Sequence, residues 1–89
     1  MDTRVLKYFL TVAQTNNIIK AAEQLHITQP TLSPQIMDLE TELDIKLFNR
    51  ENRRLQLTKA GILFQQRATT MLQLLDQTEN DLHQQEEAL

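Results

Sequence analysis

The stretch TQPTLSPQIMDLETEL, residues Thr28–Leu43, decides the fold. Leu32, Ile36, Leu39 and Leu43 recur at helical spacing and point the same way at 100° per residue. Pro30, Ser33, Pro34 and Met37 point broadly outward, with Gln29 near the leading edge. Thr28 reads as an N-cap, and Pro30 falls in the first turn, where its missing N–H costs nothing. Pro34 removes one helical N–H bond and is expected to distort the start of the helix. From Thr28 to Ile45 there is no Lys or Arg, against Asp38, Glu40, Glu42 and Asp44.

The residues before this stretch give it a companion. Ile18, Ala21, Ala22 and Leu25 form one face of a shorter helix, and the paired alanines let another helix come close. His26 and Ile27 suffice for a tight turn. Two short helices joined by about three or four residues, the second opening on polar side chains, make a helix-turn-helix pattern. In that motif the first turn of the second helix enters the major groove of DNA. Further upstream, Leu6, Phe9, Leu10 and Ala13 mark an earlier helix, with Asp2 or Thr3 as its cap. Asn16 and Asn17 interrupt it, since Asn tolerates a left-handed backbone and also caps helices well.

Downstream, Arg54-Leu55-Gln56-Leu57-Thr58 alternates polar and apolar. Ile45 to Thr58 is therefore expected to hold a small two-stranded wing with a basic tip at Asn52-Arg53-Arg54. Thr58 caps a final helix, which runs from Lys59 without a breaker after Gly61. Phe64, Ala68, Met71, Leu75 and Leu82, with Thr78, are spaced by four and three residues in alternation, a heptad seam. A helix of about 28 residues spans about 42 Å, more than three short helices and a wing can cover. The seam needs a partner, either the same helix of a second chain or a further domain. The expected fold is mainly α. A winged helix-turn-helix of three short helices and a two-stranded wing occupies 1–58, and a long linker or dimerisation helix occupies 59–89.

The chain has 89 residues and a net charge of -3, which at first argues against nucleic acid. The charge is unevenly spread. All nine Lys and Arg lie at or before Arg67, and beyond it stand five acids and no base. Lys46, Arg50, Arg53, Arg54 and Lys59 fall in one short stretch with Glu51 as its single acid. Salt screens charges beyond about 10 Å, so this stretch can meet phosphate while the acidic end points elsewhere. As a solvated basic loop it would need no partner.

Other classes fit poorly. Cys is absent, there is no Gly-rich phosphate loop, and no Ser-His-Asp set has a plausible frame. His26 and His83 are isolated and read as ordinary residues. No enzyme activity, metal or cofactor is expected. No apolar run approaches the ~20 residues of a membrane span, and the N-terminus lacks the apolar core of a signal peptide, so a cytoplasmic protein with no membrane partner is expected.

Taken together, the residues resemble the LysR-type bacterial transcriptional regulators. The resemblance rests on Phe9, Ala21-Ala22, Leu25, Thr28-Gln29-Pro30, Leu32-Ser33, Gln35-Ile36, Leu39-Glu40, Leu47-Phe48, Arg50, and Leu57-Thr58 with Ala60-Gly61. It implies the N-terminal DNA-binding part and linker helix of a longer protein, whose effector-binding domain lies outside this chain. Base contacts would come from Gln29, Pro30, Ser33 and Pro34. Gln can pair with adenine N6 and N7, and Pro30 offers an apolar surface to a thymine methyl. Lys20, Thr28, Thr31, Arg50, Arg53 and Arg54 would approach phosphates or the minor groove. Phe64, Ala68, Met71, Leu75 and Leu82 would form a homodimer seam, with a higher oligomer in the full-length protein.

The implied partner is double-stranded DNA bearing an interrupted palindrome with A·T-rich half-sites, and a small-molecule effector would act only through the further domain. Three departures stand out. Asn16-Asn17 replaces the family's usual Gly-Ser, Asp44 replaces a usual Gly, and Pro34 and Met37 stand at outward positions that are often basic. Binding by this chain alone is therefore expected to be weak and salt-sensitive. A rival from another class is a helical adaptor, whose last helix binds a protein and whose N-terminal part is a support.

Overall fold

A computed structural model describes residues 1–51 and 54–88. In chain order it contains α1 (Thr3–Thr15), α2 (Ile18–Leu25), α3 (Gln29–Leu43), β1 (Phe48–Glu51), β2 (Arg54–Leu57) and α4 (Lys59–Ala88). The mainly helical winged helix-turn-helix with a long last helix is thus the observed fold. Residues 52 and 53, at the expected basic tip, lie outside the described residues, and Arg53 with them.

Each helix end has a local cause. The Asp2 carboxylate accepts the Val5 N–H at 2.8 Å, which makes Asp2 the cap of α1. Asn16 then takes a left-handed conformation, φ 55°, and closes α1. Asn17 caps α2, its Oδ1 accepting from the N–H groups of Ile19 and Lys20 at 2.9 and 3.1 Å. The two asparagines thus divide between them the turn and the cap. His26 and Asp44, both left-handed, end α2 and α3 in the same way. Ile27 N–H reaches Ala22 O while His26 N–H reaches Glu23 O, and Ile45 and Asp44 repeat the pattern on Glu40 and Thr41. These paired bonds satisfy the last carbonyls of each helix without glycine. His26 therefore has a backbone role as the hinge residue of the turn.

Thr28 caps α3 as expected, and Pro30 sits in the first turn. Pro34 does not break α3, which runs unbroken from Gln29 to Leu43. The lost bond falls near the helix start, where the Pro30 carbonyl that lacks a donor belongs to an exposed residue.

The core joins all elements. Phe9, Val12, Leu32, Ile36, Leu39 and Leu47 are fully buried. Phe9 is the hub, with its ring 5.4 Å from Phe48 and 4.8 Å, nearly edge-on, from Phe64. Ala13, Ala21 and Ala22 are buried among the three short helices. The core reaches well into α4: Ala68 is fully buried, and Phe64, Met71 and Leu72 pack against it.

The wing is one antiparallel pair with Phe48 opposite Leu57 and Arg50 opposite Leu55. It is tied to every neighbour. Glu40 of α3 accepts the Leu47 and Phe48 N–H groups at 2.7 and 3.3 Å. The Asn16 carbonyl accepts the Leu55 N–H at 3.2 Å. Turned so that its NH2 faces them, the Asn16 amide also donates to the Ala13 and Leu55 carbonyls. Thr58 donates its hydroxyl to Lys46 O at 2.7 Å and accepts the Gly61 N–H at 3.0 Å, capping α4. A Cβ on Gly61 would collide with the Leu47 carbonyl oxygen and lie 2.9 Å from Leu57 Cδ2. The chain's single glycine stands where α4 and the wing approach too closely for a side chain.

Candidate nucleic-acid interface

The N-terminal turn of α3 is presented outward. Thr28, Gln29, Pro30, Thr31 and Pro34 are exposed, and Ser33 is half-buried. The Thr28 and Thr31 hydroxyls face each other at 2.8 Å, and Thr28 Oγ1 also takes the Thr31 N–H. Each hydroxyl keeps capacity for a further acceptor or donor.

Beside this turn lies a groove of about 520 Å³, lined by Asn17, Ile18, Ile19, Gln29, Ser33, Arg50, Arg54 and Leu55. It brings Gln29 and Ser33 of α3 together with Arg50 and Arg54 of the wing. Both arginines are exposed and, among the described residues, neither is paired with an acid. Glu51 sits across the ladder from Arg54 without forming an ion pair. A second hollow of about 800 Å³ shares Arg50 with this groove and is lined also by Lys46, Glu40, Asp44 and Glu51. Its three acids outweigh its two bases, whereas the smaller groove carries two arginines and no acid, so the smaller groove is the better anion site.

The other expected contacts are spread around that groove. Lys20, Thr28, Pro30, Thr31 and Pro34 are exposed but outside its lining. Asn17, Ile18 and Ile19 were not anticipated as its wall. A weak signal was present: adjacent isoleucines on a helix lie 100° apart, and the inward face of α2 was already occupied by Ile18, Ala21, Ala22 and Leu25 at helical spacing, which leaves Ile19 off that face. Ile18 packs inward and Ile19 stays 55% exposed.

The seam of α4 divides in two. Phe64, Ala68 and Met71 are taken up by the chain's own core, whereas Leu75 and Leu82 are 43% and 63% exposed. The physical reason is that α1 packs on α4 and the α4 residues taken into the core end at Leu72. The face open to a second chain is therefore shorter than the heptad pattern suggested. Leu63 and Leu74, also exposed, add apolar surface beside it. Among the described residues, no three His, Cys, Asp or Glu side chains come together as a metal site, and no helix is long and apolar enough to cross a membrane.

This architecture has close relatives. The family model for bacterial regulatory helix-turn-helix proteins of the lysR family matches residues 3–62. The Hca operon transcriptional activator HcaR of Escherichia coli is 48% identical over 80 residues, which cover 90% of this chain and 26% of HcaR. CatR, an HTH-type transcriptional regulator of Pseudomonas putida, is also 48% identical over 80 residues, covering 90% of this chain and 27% of CatR. The chain thus spans about a quarter of the length of these relatives. Among solved structures, the CbnR_DBD–DNA complex superposes with a TM-score of 0.90 at 36% identity, covering 93% of this chain and 95% of that one. The BenM_DBD complex with catB site 1 DNA gives 0.87 at 39% identity, covering 94% and 93%.

Proposed function

The chain belongs to the lysR family of bacterial regulatory helix-turn-helix proteins, and from that premise we propose that it binds double-stranded DNA sequence-specifically, as the DNA-reading end of a transcriptional regulator. One observation carries this reading: Gln29 and Ser33 share a groove with Arg50 and Arg54, neither of which is ion-paired among the described residues. A polar helix start beside free positive charge suits base edges and backbone phosphates at once. Gln29 has the donor and acceptor that adenine's major-groove edge requires, and Ser33 can serve several edges. Pro30 and Pro34 complete the base-reading set. Lys20, Thr28, Thr31, Arg50, Arg53 and Arg54 hold the phosphates or the minor groove. A regulatory role without enzymatic activity follows from the same assignment.

Residues 1–58 act as the reading domain, and 59–89 as the linker and dimerisation helix. Dimerisation is supported by the bare end of α4, where Leu75 and Leu82 lie beyond reach of the chain's own core. The charge along α4 favours an antiparallel pair. Lys59 and Arg67 stand near its start, while Asp76, Glu79, Asp81 and Glu86 stand near its end. Antiparallel alignment sets opposite charges side by side, and parallel alignment sets like against like. A symmetric pair reads an inverted repeat, here an interrupted palindrome with A·T-rich half-sites. An effector, and any higher oligomer, would need sequence beyond these residues, as would residence and action in a bacterial cytoplasm.

Fluorescence anisotropy against a duplex selected from a random library tests this reading. Affinity should fall steeply with added salt through counterion release. Arg54→Ala, present twice in a dimer, should lower the slope of log K against log salt by about 2. Gln29→Ala should leave the slope unchanged and cost the selected site roughly 1–3 kcal/mol. Binding that ignores both salt and Arg54→Ala would favour an adaptor.

A further inference from the structure

The larger hollow beside the wing is left unused by the DNA-reading groove. Met37 and Ile45 stand in its wall, 52% and 48% exposed. Glu40, Asp44 and Glu51 share that wall with them. Glu40 turns one carboxylate oxygen onto the Leu47 and Phe48 N–H groups. Asp44 and Glu51 are exposed and, among the described residues, form no ion pair. Two large apolar side chains among open carboxylates suit a positively charged partner that inserts an apolar side chain of its own.

Lys46 and Arg50 lie in the same wall and offset part of its negative charge. Arg50, however, also lines the groove shared by Gln29, Ser33 and Arg54. It is an exposed residue of β1, opposite Leu55 in the ladder, and belongs to both hollows at once. A phosphate in the groove draws its guanidinium away from the acids. The hollow is then left with three acids against Lys46 alone.

We infer that this hollow docks a basic protein segment through an apolar anchor, and that DNA strengthens the docking by drawing Arg50 away. The second half of this inference rests on the DNA-binding reading above. The occupant is a segment of a protein seated on the neighbouring stretch of duplex, because phosphate contact demands Lys and Arg on such a protein's surface. The coupling runs both ways: a partner whose own cations face the acids releases Arg50 to the phosphate and so tightens DNA binding by the same factor.

The probe is a short Lys-rich peptide with one central Leu, titrated onto the 89-residue chain without DNA and followed by NMR of the side-chain methyl groups. The Met37 and Ile45 methyl signals should move. Ile45→Ser should weaken the peptide by about fivefold or more through loss of apolar contact. Asp44→Asn with Glu51→Gln should weaken it by about two- to fivefold, and Asn keeps the left-handed backbone found at Asp44. Arg50→Gln removes the competing guanidinium and should act in the opposite sense, tightening the peptide by about two- to fivefold. In a second arm a library-selected duplex is present and free peptide is fixed by dialysis. The Ile45 methyl should then reach its half-shift at a lower free peptide concentration, and Arg50→Gln should remove that gain. Circular dichroism reports that each variant stays helical.

Peptide binding unmoved by Ile45→Ser and by the acid pair would overturn the docking. So would self-association of the chain that Ile45→Ser abolishes, which would give the hollow to a second copy. Looser peptide binding in Arg50→Gln, or no gain from a duplex that is itself bound, would overturn the coupling. Failure to bind any duplex would remove the DNA reading and the coupling together, while the DNA-free arm still decides the docking.

Discussion

Along α4, Phe64, Ala68 and Met71 lie in one row with Leu75, Thr78 and Leu82, yet the first three are covered and the last three are bare. The same four-three spacing runs through both halves. What differs is the neighbour. The first half lies against α1 and the ring of Phe9, and the second runs past the end of the core. An apolar row therefore specifies a face to be buried and leaves open what buries it. The near half belongs to the fold of one chain, and the far half is available for association.

Mutations on either side of that divide should separate the two roles. Phe9→Ala removes the ring on which Phe48 and Phe64 both pack and should cost about 3–5 kcal/mol, enough to unfold so small a domain. Thermal denaturation followed by circular dichroism checks it. Gly61→Ala should cost about 2–3 kcal/mol, toward the upper end for overpacking, because the obstacle is the Leu47 carbonyl rather than a flexible side chain. Glu40→Ala leaves the Leu47 and Phe48 N–H groups without their acceptor, a loss of about 1–2 kcal/mol measurable by urea denaturation. The pair Leu75→Ala and Leu82→Ala should change the stability of a monomer by no more than about 0.5 kcal/mol. Sedimentation equilibrium should nevertheless show the dimer lost. If the double variant were as destabilised as Phe9→Ala, the far half would have to share the core of its own chain, and the contrast between the halves would fail.

Much of this was legible from residue order. The inward row of α3, the Thr28 cap, the wing and the length of α4 all follow from spacing and capping chemistry, which act over a few residues. The turns were partly legible. Asn16 and Asn17 announced both a stop and a start, and Asp44, which tolerates a left-handed backbone, stands where the family usually has Gly, but nothing in the one-letter string marks His26 as left-handed, because its conformation is imposed by the paired bonds to the preceding helix. Pro34, expected to distort the start of α3, leaves the helix continuous from Gln29 to Leu43, and the Pro30 carbonyl that loses its donor belongs to an exposed residue. Least legible were features that depend on elements meeting in space. The groove wall at Ile18 and Ile19 and the early end of the bare α4 face needed the packing of α1, α2 and the wing.

The ties that hold the wing have a further consequence. Glu40 fastens it to α3, Asn16 to the corner between α1 and α2, and Thr58 to the strand's own approach. The first two ties hold the wing against α3 and the α1–α2 corner, and the third closes its two flanks on each other. In the proposed DNA complex, a duplex whose groove and backbone did not match the spacing of wing and helix would have to bend, and the energy of that bending would become part of the selection.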